Sequence, residues 1–99
     1  MSDRVRKRVL VSGMVQGVNF RANTRSAARR IGVTGWVKNL PDGRVETLIE
    51  GDVQSVEAML AWLKKGPTFS RVDGIDVRDE RPTGEFTDFQ VTYAGGHYW

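Results

Sequence analysis

Between an apolar segment and a helix-like pattern lies the stretch GMVQGVNFRANT, Gly13 to Thr24. It brings two glycines and one arginine, Arg21, to the mouth of a helix. Those residue types at that spacing suit an anion. Successive backbone N–H groups in a turn converge into a concave nest. A helix N-terminus adds unpaired N–H donors and the positive end of its dipole. Gly17 lets the backbone approach a ligand closely, and Arg21 offers a fork of charge-assisted hydrogen bonds to two phosphate oxygens. Together they suit a terminal phosphate, although an ordinary strand-to-helix turn with an arginine on its rim accounts for the same residues.

A phosphate site becomes catalytic only where something guides a nucleophile. Asn39, in GWVKNLPDG, carries both a donor and an acceptor and can orient a water for in-line attack on phosphorus. It reads equally well as a turn residue. Asparagine is a poor general base, so any substrate must be easy to hydrolyse. Other chemistries are excluded by composition. Cysteine is absent, which removes thiol nucleophiles, disulfides and Cys-based metal sites. The single histidine, His97, lies in the tail and reads as solvent-exposed, so no Ser-His-Asp arrangement is expected. There is no metal-ligand spacing, Walker motif or dinucleotide fingerprint. Glu46 and Glu50 share a strand face that reads as solvated.

The 99 residues read as one domain, 1–99, with about 1–7 and 94–99 as loose ends. Hydrophobic content of 39% and charged content of 27% fit a soluble globular domain. Without cysteines, a membrane-length apolar run or a signal-peptide core, the expected location is cytoplasmic. The net charge of +3 favours anionic partners without separating nucleic acid from a small phosphate. Its densest cluster, Arg4, Arg6, Lys7 and Arg8, reads as a solvated strand entry, with a nucleic-acid patch as the sharper alternative.

The elements that must position Arg21 and Asn39 follow from periodicity. Val9 to Val15 reads as a strand and Gln16 to Arg21 as a loop. A helix runs from Ala22 with Ala27, Ala28 and Ile31 on one face and Arg25, Arg29 and Arg30 mainly on the other, stopping at Gly32. TGWVKNLPDGRVETLIEG reads as two strands around a Pro41-Asp42-Gly43 turn. Val45, Thr47 and Ile49 share one face of the second arm, opposite Glu46, Leu48 and Glu50. Asp52 is placed to cap a second helix with the stripe Val53, Val56, Leu60 and Leu63, Met59 beside it, ended by Gly66-Pro67. Val72, Ile75 and Val77 begin another strand, interrupted at Pro82-Thr83-Gly84. Phe89, Val91 and Tyr93 alternate in a short extra C-terminal strand. This order predicts an α+β, ferredoxin-like βαββαβ sandwich, with two helices on one face of a mainly antiparallel sheet.

GMVQGVNFR followed by GWVKNLPDGRVETLIEG resembles the paired signature of the acylphosphatase family. The first half fits Gly-x-Val-Gln-Gly-Val-x-Phe-Arg, and the second fits Gly-aromatic-Val-basic-Asn with its later Gly-x-Val and Gly. Echoes continue through Thr24, Ala28, KKGPTFSRVDGIDV and FTDFQVTY, nearly the whole chain. The resemblance implies the ferredoxin-like fold and hydrolysis of the carboxyl–phosphate bond of acyl phosphates, without metal, cofactor or phosphoenzyme. It implies that the backbone of Gln16, Gly17, Val18, Asn19, Phe20 and Arg21 cradles the phosphate. Arg21 then binds the phosphate oxygens, Asn39 positions the attacking water, and inorganic phosphate inhibits as product. Asn19 departs from the commonest pattern, but asparagine tolerates left-handed backbone.

Two other readings use the same sequence. A ferredoxin-like nucleic-acid-binding module fits the basic charge, but the strands lack the aromatic sheet motif of an RNA-recognition fold. Trp36, Trp62, Phe89 and Tyr93 read instead as core or partly buried. A non-catalytic interaction domain fits less well because Arg21 and Asn39 are both present, and an acylphosphatase-like piece of a larger hydrogenase-maturation carbamoyltransferase fits less well because a chain of 99 residues looks free-standing. With no long apolar surface stripe, a monomer without membrane association is expected, and nucleic acid is not an expected partner.

Overall fold

In the computed structural model, residues 3–92 are described. The expectations for Tyr93, His97, Tyr98, Trp99 and a loose tail at 94–99 lie outside the described residues. Seven elements follow the predicted order: β1 (Arg4–Met14), α1 (Phe20–Ile31), β2 (Thr34–Asn39), β3 (Val45–Asp52), α2 (Val53–Lys65), β4 (Arg71–Glu80) and β5 (Phe89–Val91). The sheet order is β4-β1-β3-β2-β5. Its β1–β3, β1–β4 and β2–β3 pairs are antiparallel, and β5 joins β2 in parallel.

One face of the sheet carries the core. Val9 and Val11 of β1, Val37 of β2, and Val45 and Ile49 of β3 are fully buried beneath the helices. Helix α1 contributes Phe20, Ala27 and Ala28, and α2 contributes Val56, Met59 and Leu63. The α2 stripe therefore runs through Met59. Val53 is exposed and Leu60 only half-buried, because buried positions i, i+3 and i+7 put Met59 between Val56 and Leu63. Asp52 stands at the N-cap position with extended backbone, but its side chain caps nothing.

Two boundaries differ from the sequence reading. Strand β1 begins at Arg4, not Val9, so residues 4–7 are strand rather than a loose end. Their register against β3 and β4 explains it: Arg6 lies opposite both Glu50 and Glu80, and Lys7 opposite Asp79. Charge pairing replaces hydrophobic alternation as the reason for strand. Helix α1 begins at Phe20, two residues before Ala22.

The second face of the sheet is not simply solvated. The segment from Arg81 to Asp88 joins β4 at one edge to β5 at the other, so it crosses this face. There the backbone N–H groups of Gly84 and Thr83 donate to the Glu50 carboxylate at 2.7 and 3.4 Å. Arg6 lies 3.5 Å from the same carboxylate and donates to Glu80, Thr83 and Glu85, while the Phe86 ring lies 5.4 Å from its guanidinium. Glu50 is consequently 1% exposed. The expectation of a solvated Glu46/Glu50 face fails at Glu50, where strand alternation alone could not show the covering segment.

Candidate active site

Strand β1 ends in a bulge at Ser12/Gly13, where its register with β4 shifts. A Cβ on Gly13 would stand 2.1 Å from the Arg71 carbonyl oxygen, so only glycine lets the two strands close before the loop begins. In the loop, Gly17 has φ 78° and Asn19 φ 60°. A Cβ at Gly17 would meet nothing within 4 Å, so the backbone angle, and not space, calls for glycine there. Asn19 occupies the left-handed region that asparagine tolerates. Two residues of positive φ, two positions apart, wrap the chain around the start of α1.

Core packing holds the loop. Val15 and Phe20 are both 1% exposed. The Phe20 ring meets Trp62 of α2 with centroids 6.1 Å apart. The first turn of α1 is pinned by Asn23, whose backbone N and Nδ2 both donate to the Asn19 carbonyl, and by the buried Thr24 hydroxyl, which donates to the Phe20 carbonyl. Asn19 makes no side-chain cap, and the first turn holds no acidic residue. No side chain of that turn offers an anion a competing carboxylate, and Arg29 and Arg30 in the last turn suit the negative end of the dipole.

An open cavity of about 290 Å³ is lined by Val15, Gly17, Asn19, Phe20, Arg21, Ala22, Arg25, Asn39 and Val91. It unites Arg21 with Asn39, residues separated in sequence by most of α1 and all of β2. Asn39 is the last residue of β2, paired with Val45 at the mouth of the hairpin. Its Oδ1 is buried and has no hydrogen-bond partner among the described residues. An unsatisfied buried acceptor costs about 1–3 kcal/mol, and such groups are rare enough to require a reason.

The other residues expected at the phosphate take different places. Gln16 and Val18 are not among the lining residues. The Gln16 side chain is turned to the β2–β3 turn, where Nε2 donates to the carbonyls of Leu40 and Arg44. Phe20 presents its ring to the core. What Gln16, Val18 and Phe20 can offer an anion is therefore backbone. Arg25 is a lining residue that the helical reading had assigned to the outer face. Its signal was its spacing, four residues beyond Arg21 and thus on the same side of the helix. Among the described residues no group of three or more His, Asp or Glu side chains is arranged to hold a metal ion, and no helix is long and apolar enough to cross a membrane.

The family model for acylphosphatase matches residues 7–91 of this chain. The chain belongs to the acylphosphatase family. The acylphosphatase of Methylococcus capsulatus is 57% identical over 86 residues, covering 87% of this chain and 94% of the relative. That of a Roseiflexus species is 50% identical over 94% of this chain and 100% of its own. The crystal structure of acylphosphatase from Bacillus subtilis superposes with a TM-score of 0.86 at 37% identity, covering 90% of this chain and 99% of that one. The ferredoxin-like α+β architecture and the family resemblance of the paired signature both hold.

Proposed function

We propose that this chain hydrolyses the carboxyl–phosphate bond of acyl phosphates, in a monomer acting in the cytoplasm, by direct attack of water on phosphorus without metal or phosphoenzyme. The observation that carries the mechanism is the shared cavity: Arg21, the start of α1 and Asn39 with its unpartnered buried oxygen line one space. The phosphate sits on backbone N–H groups from Gln16 to Arg21, at the positive end of the helix dipole. The Arg21 guanidinium binds two of its oxygens and stabilises the charge that spreads over them in a loose transition state.

Asn39 supplies the water. Its Oδ1 accepts one hydrogen of the nucleophile and leaves an oxygen lone pair directed at phosphorus. As the new P–O bond forms, the bond from phosphorus to the acyl oxygen breaks and its electron pair leaves on the carboxylate. A carboxylate is a good leaving group, so no protein acid is required. The proton of the attacking water passes to a phosphate oxygen, which gives carboxylate and dihydrogen phosphate. Positioning and electrostatics supply the rest of the catalysis. Inorganic phosphate fits the same cradle and inhibits as product. A nucleic-acid role gains no support from the basic cluster of β1, whose Arg6, Lys7 and Arg8 are matched by Glu80, Glu85, Asp79 and Glu46.

The test is hydrolysis of benzoyl phosphate, followed by ultraviolet absorbance with EDTA present. Arg21→Ala is expected to lose turnover and phosphate inhibition together. Asn39→Ala is expected to lose about 10²-fold or more in kcat while phosphate still inhibits within a few-fold of wild type. Turnover that needs a metal, or an Asn39→Ala as fast as wild type, would overturn the mechanism.

A further inference from the structure

Attack by a held water demands that two separate pieces of the chain keep their distance. The phosphate lies on the β1–α1 loop, and the water is held at the end of β2. A misplacement of about 1 Å at such a site costs about 10²-fold in rate. Yet β1 and β2 are not neighbours in the sheet. Strand β3 lies between them, so no ladder hydrogen bond joins the loop to Asn39.

The Gln16 side chain makes a connection across that strand. Gln16 Nε2 donates to the Leu40 carbonyl at 2.9 Å and to the Arg44 carbonyl at 2.8 Å, across sequence separations of 24 and 28 residues. Leu40 directly follows Asn39. The two carbonyls stand at the two ends of the β2–β3 turn, which is itself closed tightly. Leu40 N donates to Arg44 O at 2.8 Å, Gly43 N to Leu40 O at 3.2 Å, and Arg44 N to Asp42 Oδ1 at 3.0 Å. Gln16 therefore grips a rigid turn.

Residue chemistry explains why glutamine stands there. A primary amide nitrogen has two hydrogens, one for each carbonyl. A carboxylate of the same length has only acceptors and would repel both carbonyls. Asparagine is one methylene shorter. Both amide hydrogens are already spent on the turn, so this nitrogen has none left for a substrate oxygen.

We infer that Gln16 is a positioning residue that fixes the distance between the phosphate cradle and the water held by Asn39. The inference rests on the proposed assignment of that cradle and that water. Its signature is a split. Loss of the clamp leaves the loop, the helix start and Arg21 in place, so phosphate still binds, while the water loses its alignment and kcat falls.

The experiment uses the full chain with Gln16→Met, which keeps length and approximate volume without donors, alongside Gln16→Glu, Asn39→Ala and the double variant Gln16→Met/Asn39→Ala. Circular dichroism establishes folding, and the readouts are kcat, KM for benzoyl phosphate and the inhibition constant of inorganic phosphate. Gln16→Met is expected to lose about 10- to 100-fold in kcat with phosphate inhibition within threefold of wild type. In the Asn39→Ala background, followed at raised enzyme concentration, the same substitution is expected to cost less than threefold, because residues acting through one another are not additive. Gln16→Glu is expected to regain part of its rate as pH falls, since a protonated carboxyl recovers one donor. Parallel loss of phosphate inhibition and kcat would overturn the inference, as would an undiminished Gln16→Met effect without Asn39. A wild-type rate in Asn39→Ala would sink the site assignment and the inference with it. A slow Asn39→Ala with additive effects would sink the inference alone.

Discussion

Two parts of this small molecule gather arginines, and they surround them with different residues. On the sheet face crossed by residues 81–88, Arg6 is buried among Glu80, Glu85, Thr83 and Phe86, with Glu50 at 3.5 Å. Arg8 bridges Glu80 and Glu46 there and lies 5.5 Å from the Trp36 ring. Around the cavity, Arg21 and Arg25 lie one helical turn apart, and the described residues lining it include no carboxylate. Where the chain supplies the counter-charge, arginine holds the fold together. In the second region the proposed occupant is a dianion from solution. The unpartnered Asn39 oxygen belongs to the second region as well. At that oxygen the cavity leaves a demand of the kind that the sheet face has met at Glu50.

The sharpest test of that contrast exchanges arginine for lysine in both places. Lysine keeps the charge and loses the planar fork. Arg21→Lys should lose about 10²- to 10³-fold in kcat/KM for benzoyl phosphate, equivalent to roughly 3–4 kcal/mol of transition-state stabilisation. Arg6→Lys should keep kcat/KM within about twofold and show its cost in the denaturation midpoint. If the two variants lost turnover alike, the division between structural and substrate-binding arginines would fail.

A second test removes the anchor of the sheet face. Glu50 is 1% exposed and receives Gly84 N–H at 2.7 Å beside Arg6. Glu50→Ala leaves the Gly84 and Thr83 N–H groups without their acceptor and takes one carboxylate from beside Arg6, which keeps Glu80 and Glu85. Leaving a buried donor unsatisfied costs about 1–3 kcal/mol, a large part of the stability of a domain this size. Urea denaturation should report that loss, while the inhibition constant of inorganic phosphate for the folded fraction stays near wild type. A change under about 1 kcal/mol in stability would show that residues 81–88 are held by something other than Glu50.

Much of this was legible in the sequence, and for identifiable reasons. The 3.6-residue period placed α1 and α2, and the apolar alternation of Val45, Thr47 and Ile49 set the inner face of β3. The Pro41-Asp42-Gly43 turn placed the hairpin that presents Asn39. What escaped depends on contacts distant in sequence. Arg4 to Lys7 lack apolar alternation, so nothing local marked them as strand. They are strand because Glu50, Glu80 and Asp79 lie opposite them. The burial of Glu50 depends on a covering segment more than thirty residues later, since Glu50 and Gly84 are separated by 34. In the site itself, the conjunction of Arg21 with Asn39 was expected from the family resemblance. The grip of Gln16 on Leu40 and Arg44 was not, because a side chain's reach across an intervening strand leaves no periodic trace. Arg25 was misplaced by counting polarity instead of its spacing from Arg21.

The smallest effect expected from the contrast is one of pH. The Glu80 carboxyl titrates below its ordinary 4.5 chiefly because Arg8 donates to it, with the charges of Arg8 and Arg6 adding. Glu85 is likewise held low by its hydrogen bonds from Arg6 and Thr83. The unfolded chain regains ordinary carboxyls and takes up protons more readily. The contribution of these groups is therefore complete above about pH 4.5 and disappears as pH falls through their depressed folded values. Both groups are partly open to solvent, so the effect is modest. Glu80→Gln should flatten the fall of Tm below pH 4.5, with a difference of about 3 °C or less at neutral pH. The cavity supplies the control. No carboxylate is found among its described lining residues, so Glu80→Gln should leave the pH dependence of benzoyl phosphate turnover unchanged in the folded protein. A shifted activity profile would mean that the sheet face and the cavity are electrostatically coupled, and that the arginines of this fold cannot be sorted by their local partners alone.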